Sequence, residues 1–146
     1  MRFKDTVYGD LSCLVYRGDI NISRMSISSL EGSPGEVLGD FNCAFNNLET
    51  LQHSPRTIHG DFDCHNNRIN SLESSPTKII GDFNCSKNLL TSLEYLPIVI
   101  DGHIDCSKNK LKSLEFINIS PIKLICDFQK EEVFKNYIKF TPYLLL

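Results

Sequence analysis

Apolar positions along this chain fall into columns that recur every 21 residues. Phe41, Phe62, Phe83 and Ile104 share one column, and Cys43, Cys64, Cys85 and Cys106 share the column two places on. The polar residues Asn42, Asp63, Asn84 and Asp105 stand between them. Apolar, polar, apolar at a spacing of two is the pattern of a half-buried strand. Leu48, Ile69, Leu90 and Leu111 follow, then Leu51, Leu72, Leu93 and Leu114, while Val37, Ile58, Ile79 and Ile100 close each unit from the far side. Every unit thus directs five apolar side chains inward. A single unit has nothing to bury them against, whereas stacked units bury one another, so the pattern predicts an open solenoid.

Gly39, Gly60, Gly81 and Gly102 keep the period without insertion or deletion. Upstream, Gly18-Asp19-Ile20-Asn21-Ile22 matches the same frame. Downstream, a three-residue insertion near Asn118 brings Cys126-Asp127-Phe128 into line with Gly60-Asp61-Phe62. This frame gives one domain over 1–146: five repeats and the opening strand of a sixth over 18–128, between caps at 1–17 and 129–146. Caps are expected because an open stack leaves an apolar, hydrogen-bonding rung at each end. Phe134, Tyr137 and Ile138 have the spacing of one helical face, which predicts a short helix in the C-terminal cap.

Two polar columns recur with the glycines. Asn46, Asn67, Asn88 and Asn109 carry side-chain amides, which donate and accept where the chain leaves its strand. Met25 takes that place in the first repeat, as in an atypical capping rung. Asp19, Asp40, Asp61, Asp82 and Asp127 form an acidic stripe that suits a cation or a basic partner. Recurrence favours instead a local Asx-type cap on the turn into each strand, with glycine supplying a positive φ.

The pattern F-x-C-x-x-N-x-L-x-x-L, as in Phe41-Asn42-Cys43-Ala44-Phe45-Asn46-Asn47-Leu48-Glu49-Thr50-Leu51, resembles the leucine-rich repeat family, with Phe and Cys in place of two leucines. The period and the prolines Pro34, Pro55, Pro76 and Pro97 on the returning arc are similar to its short bacterial type, which also occurs in bacteriophage proteins. The resemblance covers roughly residues 18–128. It implies an α/β-type repeat solenoid, mostly β, with a curved parallel sheet on the concave face, irregular convex arcs and capped ends.

Composition narrows the function. A net charge of −3 without a basic run argues against a dedicated nucleic-acid binder. No apolar stretch follows Met1–Lys4, and Tyr143–Leu146 is too short to span a bilayer, so no membrane association is expected. Cys43, Cys64, Cys85 and Cys106 lie one per rung, about 4.8 Å apart, so the first and last are about 14 Å from each other. Four sulfurs in such a line cannot share one zinc, and parallel Cβ vectors disfavour the disulfide torsion. Buried free thiols are expected, and with them a reducing cytoplasm, that of the host if the chain is of phage origin. No metal and no cofactor are expected.

A residue that recurs in every coil serves the coil; one that varies is free to serve something else. The varying columns hold Ala44, His65, Ser86 and Ser107, then Arg24, Phe45, Asn66, Lys87 and Lys108, then Asn47, Arg68, Leu89 and Lys110. Phe45 and Leu89 are apolar where nothing inside the coil requires it. Cations on one edge and Asp/Asn columns on the other give a two-toned face suited to a protein of mixed charge. The expected partner-binding residues are Asn42, Phe45, Asp63, His65, Arg68, Asn84, Lys87, Leu89, Asp105 and Lys108. The histidines His53, His59, His65 and His103 fall in four different columns, and no phosphate loop, HExxH or GxSxG occurs, so catalysis is not expected. The sequence reading is therefore a non-enzymatic binder, an effector or inhibitor that occupies a host protein through the concave face. A structural spacer contacting partners through its caps or edges is the alternative, and a cation-binding solenoid a weaker one.

Overall fold

A computed structural model of the chain describes residues 1–115 and 124–128. The helix expected around 131–138, and the C-terminal cap as a whole, lie outside the described residues. Within them the chain is a mostly-β parallel solenoid of about five turns with almost no helix. The strands, in order, are β1 (Val15–Tyr16), β2 (Ile20–Asn21), β3 (Glu36–Val37), β4 (Phe41–Asn42), β5 (Thr57–Ile58), β6 (Phe62–Asp63), β7 (Lys78–Ile79), β8 (Phe83–Asn84), β9 (Val99–Ile100), β10 (Ile104–Asp105) and β11 (Leu124–Ile125).

They form two parallel sheets. The larger runs β11-β10-β8-β6-β4-β2 and the smaller β1-β3-β5-β7-β9. Phe41 pairs with Phe62 and Phe62 with Phe83, so the column alignment of the sequence is the register of the larger sheet. The smaller sheet corrects the expectation of irregular arcs. Its strands are two residues long, with one inward residue in the column Val37, Ile58, Ile79, Ile100 and one outward residue of no fixed type. It also reaches further upstream than expected, since Val15 and Tyr16 of the anticipated cap pair with Glu36 and Val37.

The sixth rung corrects a second expectation. Ile104 pairs with Leu124 and Asp105 with Ile125, so β11 lies four residues earlier than the sequence alignment placed it. Cys126 stands in the cysteine column rather than the glycine column, packed against the core, and Phe128 falls level with Lys108. Leu124, Cys126 and Phe128 are all partly buried against the core in this register.

The core is the inward columns themselves. Phe41, Cys43, Leu48, Leu51 and Ile58 are each 0% exposed. The phenyl rings stack along the axis, with Phe62 and Phe83 at 5.3 Å between centroids. Phe3, on a 3-10 turn at Phe3–Asp5, closes the N-terminal end by stacking on Phe41 at 6.2 Å. Tyr8 stacks on Phe3, and its hydroxyl accepts the N–H of Asn21 at 3.1 Å, where a preceding rung would otherwise accept it.

Gly18 has the positive φ expected, 131°, but the rest of the glycine column has a different cause. Gly39, Gly60, Gly81 and Gly102 are not in the positive-φ region. A Cβ on any of them would overlap the Asp Oδ1 and the glycine backbone of the preceding coil. Glycine is required here by close approach between coils, not by dihedral freedom.

Candidate partner-binding face

The outer face of the larger sheet begins at the Asp column. Asp19 Oδ1 accepts the N–H of Asp40 at 2.9 Å, Asp40 that of Asp61 at 2.7 Å, Asp61 that of Asp82 at 2.7 Å, and Asp82 that of His103 at 2.7 Å. Each carboxylate therefore bridges to the next coil instead of capping its own turn, which corrects the local Asx reading. Asp40, Asp61 and Asp82 remain exposed. Asp40 and Asp61, with Asp19, Asn21, Asn42 and Asp63, lie along a groove of about 270 Å³ over the first rungs, between the Asp column and the strands.

The next outward column is Asn42, Asp63, Asn84 and Asp105, all half-buried. Each Oδ1 accepts the backbone N–H two residues on, from Ala44 at 3.0 Å, His65 at 3.0 Å, Ser86 at 3.1 Å and Ser107 at 3.0 Å. Ser86 and Ser107 add hydroxyl bonds to the same oxygens at 2.7 and 2.6 Å, and His65 Nδ1 lies 2.6 Å from Asp63 Oδ1. These four expected contact residues thus shape the turn that ends each strand. The Asx turn anticipated at the start of the strand is found at its end.

Behind that turn lies the Asn ladder. Asn88 Nδ2 donates to the carbonyls of Cys64, Cys85 and Ser86 at 3.1, 3.2 and 3.2 Å, while its Oδ1 accepts the N–H of Ile69 at 3.0 Å. Asn46, Asn67 and Asn109 repeat the arrangement. The amide joins two coils with donors and acceptor together, the capacity for which the sequence singled it out.

The chain then turns through a left-handed residue in every coil: Arg24, Phe45, Asn66, Lys87 and Lys108 have φ of 58, 55, 56, 52 and 54°. Only Asn66 is a residue type that favours that region. Phe45 is half-buried rather than the exposed anchor expected. The Arg24 guanidinium sits 3.9 Å from its ring centroid on one side, and the His65 ring meets it edge-on at 4.6 Å on the other. Phe45, His65 and Asp63 are therefore brought together as one cluster spanning neighbouring coils, held by Arg24 from a third. Arg68, Lys87 and Lys108 are exposed, and Leu89 is 39% exposed beside them. Arg24 and Lys110 were not among the expected contact residues, although they occupy the same columns as Phe45 and Leu89 and belong to the same face.

Cys43, Cys64, Cys85 and Cys106 are buried and free. Burial pushes the Cys85 thiol up to about 12, with the Asp105 carboxylate adding to the effect, and moves Cys43, Cys64 and Cys106 upward for the same leading reason. They pack as small apolar groups and have little thiolate character to offer a metal or an electrophile. Among the described residues no three His, Cys, Asp or Glu side chains converge where a metal ion would sit. No helix among them is long and apolar enough to cross a membrane.

No family model matches the chain, and no curated protein and no solved structure matches it.

Proposed function

We propose that this chain is a leucine-rich-repeat-type solenoid that binds a protein partner through the larger sheet and the cationic columns beside it. In this reading the larger sheet lies on the concave side of the stack. The protein is non-enzymatic and works in a reducing cytoplasm as an effector or inhibitor that occupies a host protein. One observation carries the reading. The recurring polar columns are held by hydrogen bonds that build the coils, whereas the varying columns present Arg68, Lys87, Leu89 and Lys108 to solvent. Residues with no task inside the coil are the ones free to contact something outside it.

The test is the affinity of a partner purified from the native host. Truncating Phe45, Arg68 and Lys87 together to Ala is expected to weaken it by more than about 2 kcal/mol, because aromatic and Arg anchors dominate such interfaces. Truncating Arg56 and Lys78, which are exposed on the smaller sheet or beside it, is expected to leave it unchanged.

A structural spacer that makes its contacts through the ends is the second reading. It draws support from apolar side chains near the N-terminal end: Val7 is 91% exposed, Val15 54% and Leu14 52%. Normal binding by the triple variant, together with loss on changing Val7, Leu14 and Val15 to Ser, selects the spacer.

A further inference from the structure

Two columns flank the larger sheet where its strands end: Arg24, Phe45, Asn66, Lys87, Lys108, and two residues further on Ser26, Asn47, Arg68, Leu89, Lys110. Five of these ten positions are cations and none is a carboxylate, in a chain with 18 acidic and 15 basic residues. The basic charge is therefore concentrated on this flank against the balance of the whole molecule. All five cations are exposed. None of them takes part in an ion pair among the described residues; the ion pairs there involve Arg2, Lys4, His59, His65 and His103. Arg24 alone has a side-chain contact of note, over the Phe45 ring at 3.9 Å.

The acidic columns across the sheet differ in kind. Asp19, Asp40, Asp61 and Asp82 each hold the N–H of the next coil, so that acidic line is part of the fold. The side chains of the cationic line make no such bond, and only Arg24 packs inside the fold, over Phe45. Its residues are brought onto one flank by the register of the coils, and none of their charges is in an ion pair among the described residues.

We propose that this cationic ridge is the docking strip for an acidic segment of a protein partner, lying along the solenoid axis with Phe45 and Leu89 as its apolar contacts. The inference rests on the binding-face reading above and specifies the partner's chemistry. Four rung steps of about 4.8 Å make the ridge about 19 Å long, the reach of about six extended residues. Charge complementarity of this kind sets register and on-rate, and it weakens with salt. A nucleic acid is a poorer occupant. The exposed line of Asp40, Asp61 and Asp82 runs parallel to the ridge across one narrow sheet, where it repels the second strand of a duplex seated there. Among the described residues the last rung of the ridge meets Asp127, whose Oδ2 accepts the N–H of Lys108 at 2.6 Å.

The experiment titrates the ¹⁵N-labelled full chain with a capped (Glu-Ser)₄ peptide and, separately, with (Lys-Ser)₄ and a short DNA duplex, following amide shifts. The acidic peptide is expected to move the amides of Arg68, Lys87, Leu89 and Lys108. Its affinity is expected to fall at least about tenfold in the Arg68→Glu/Lys87→Glu/Lys110→Glu variant, and by less than about twofold in Arg56→Glu/Lys78→Glu. Retained dispersion of the amide spectrum checks that each variant is folded. Equal losses in the two variants, or a duplex that displaces the peptide from the ridge, overturn the proposal. If only the basic peptide binds, and it moves amides of the larger sheet, the acidic-partner inference fails and the binding-face reading stands. Shifts confined to the coil ends overturn both.

Discussion

The carboxylate of Asp40 accepts the backbone N–H of Asp61, 2.7 Å away and one full coil further along the chain. Gly60 lies directly against it, because a Cβ there would overlap Asp40 Oδ1 and the backbone of Gly39 and Asp40. The Gly-Asp dipeptide is thus one device repeated from Asp19 to Asp82: the aspartate reaches forward, and the next glycine leaves it room.

Gly60→Ala is expected to destabilise the fold by about 2 kcal/mol or more, since the added methyl meets backbone on a packed coil and cannot be relieved by a rotamer change. Asp40→Ala removes the nearest obstacle, so the double variant should lose less than the sum of the singles by about 0.5 kcal/mol or more. Urea unfolding of the four proteins gives the cycle. Strict additivity means that the two residues do not share this contact.

Phe62 is fully buried, 5.3 Å from Phe83 and 6.0 Å from Phe41 between ring centroids. Phe62→Ala opens a cavity that neighbouring coils line from both sides, and a loss of about 3–5 kcal/mol is expected in urea. Unchanged stability would place that ring outside the stack.

The buried thiols predict a pH dependence. In the unfolded chain Cys85 ionises near its ordinary value of 9.0, whereas in the folded protein burial keeps it protonated up to about 12. Above pH 9 the unfolded state therefore binds fewer protons, and stability falls as pH rises, by about 1.4 kcal/mol per pH unit for each such thiol. Cys85→Ala lacks that contribution. Its stability deficit relative to the parent should shrink by about 1.2 kcal/mol between about pH 9.5 and pH 10.5. A deficit constant across that range contradicts a buried, protonated Cys85.

Much of this architecture is legible in the chain because each coil restates it. The inward columns from Phe41 to Ile58 and the Asn ladder are read correctly, since burial and backbone satisfaction act on the same residue types in every repeat. Four features are not legible, for separate reasons. The smaller sheet pairs Glu36, Thr57, Lys78 and Val99, whose types carry no strand alternation; coil-to-coil bonding alone makes them strands. The sixth rung offers two alignments, and Cys126-Asp127-Phe128 imitates the start of a repeat, while packing places Leu124 and Cys126 in the inward columns. The Asp bridge spans 21 residues, beyond the reach of any local turn rule. Phe45 reads as exposed from its own coil and is covered by Arg24 and His65 from the coils on either side.

The distinction between columns that build the coil and columns that are free is tested most directly at two adjacent residues. Asn88 is buried and holds the carbonyls of Cys64 and Cys85 and the N–H of Ile69, whereas Lys87 is exposed on the ridge. Asn88→Ala leaves those backbone groups unpaired, and its unfolding free energy in urea is expected to fall by more than about 2 kcal/mol. Lys87→Ala is expected to stay within about 0.5 kcal/mol of the parent. If the two variants unfold at the same urea concentration as each other, recurrence along the chain does not separate structural from free residues, and the account is contradicted.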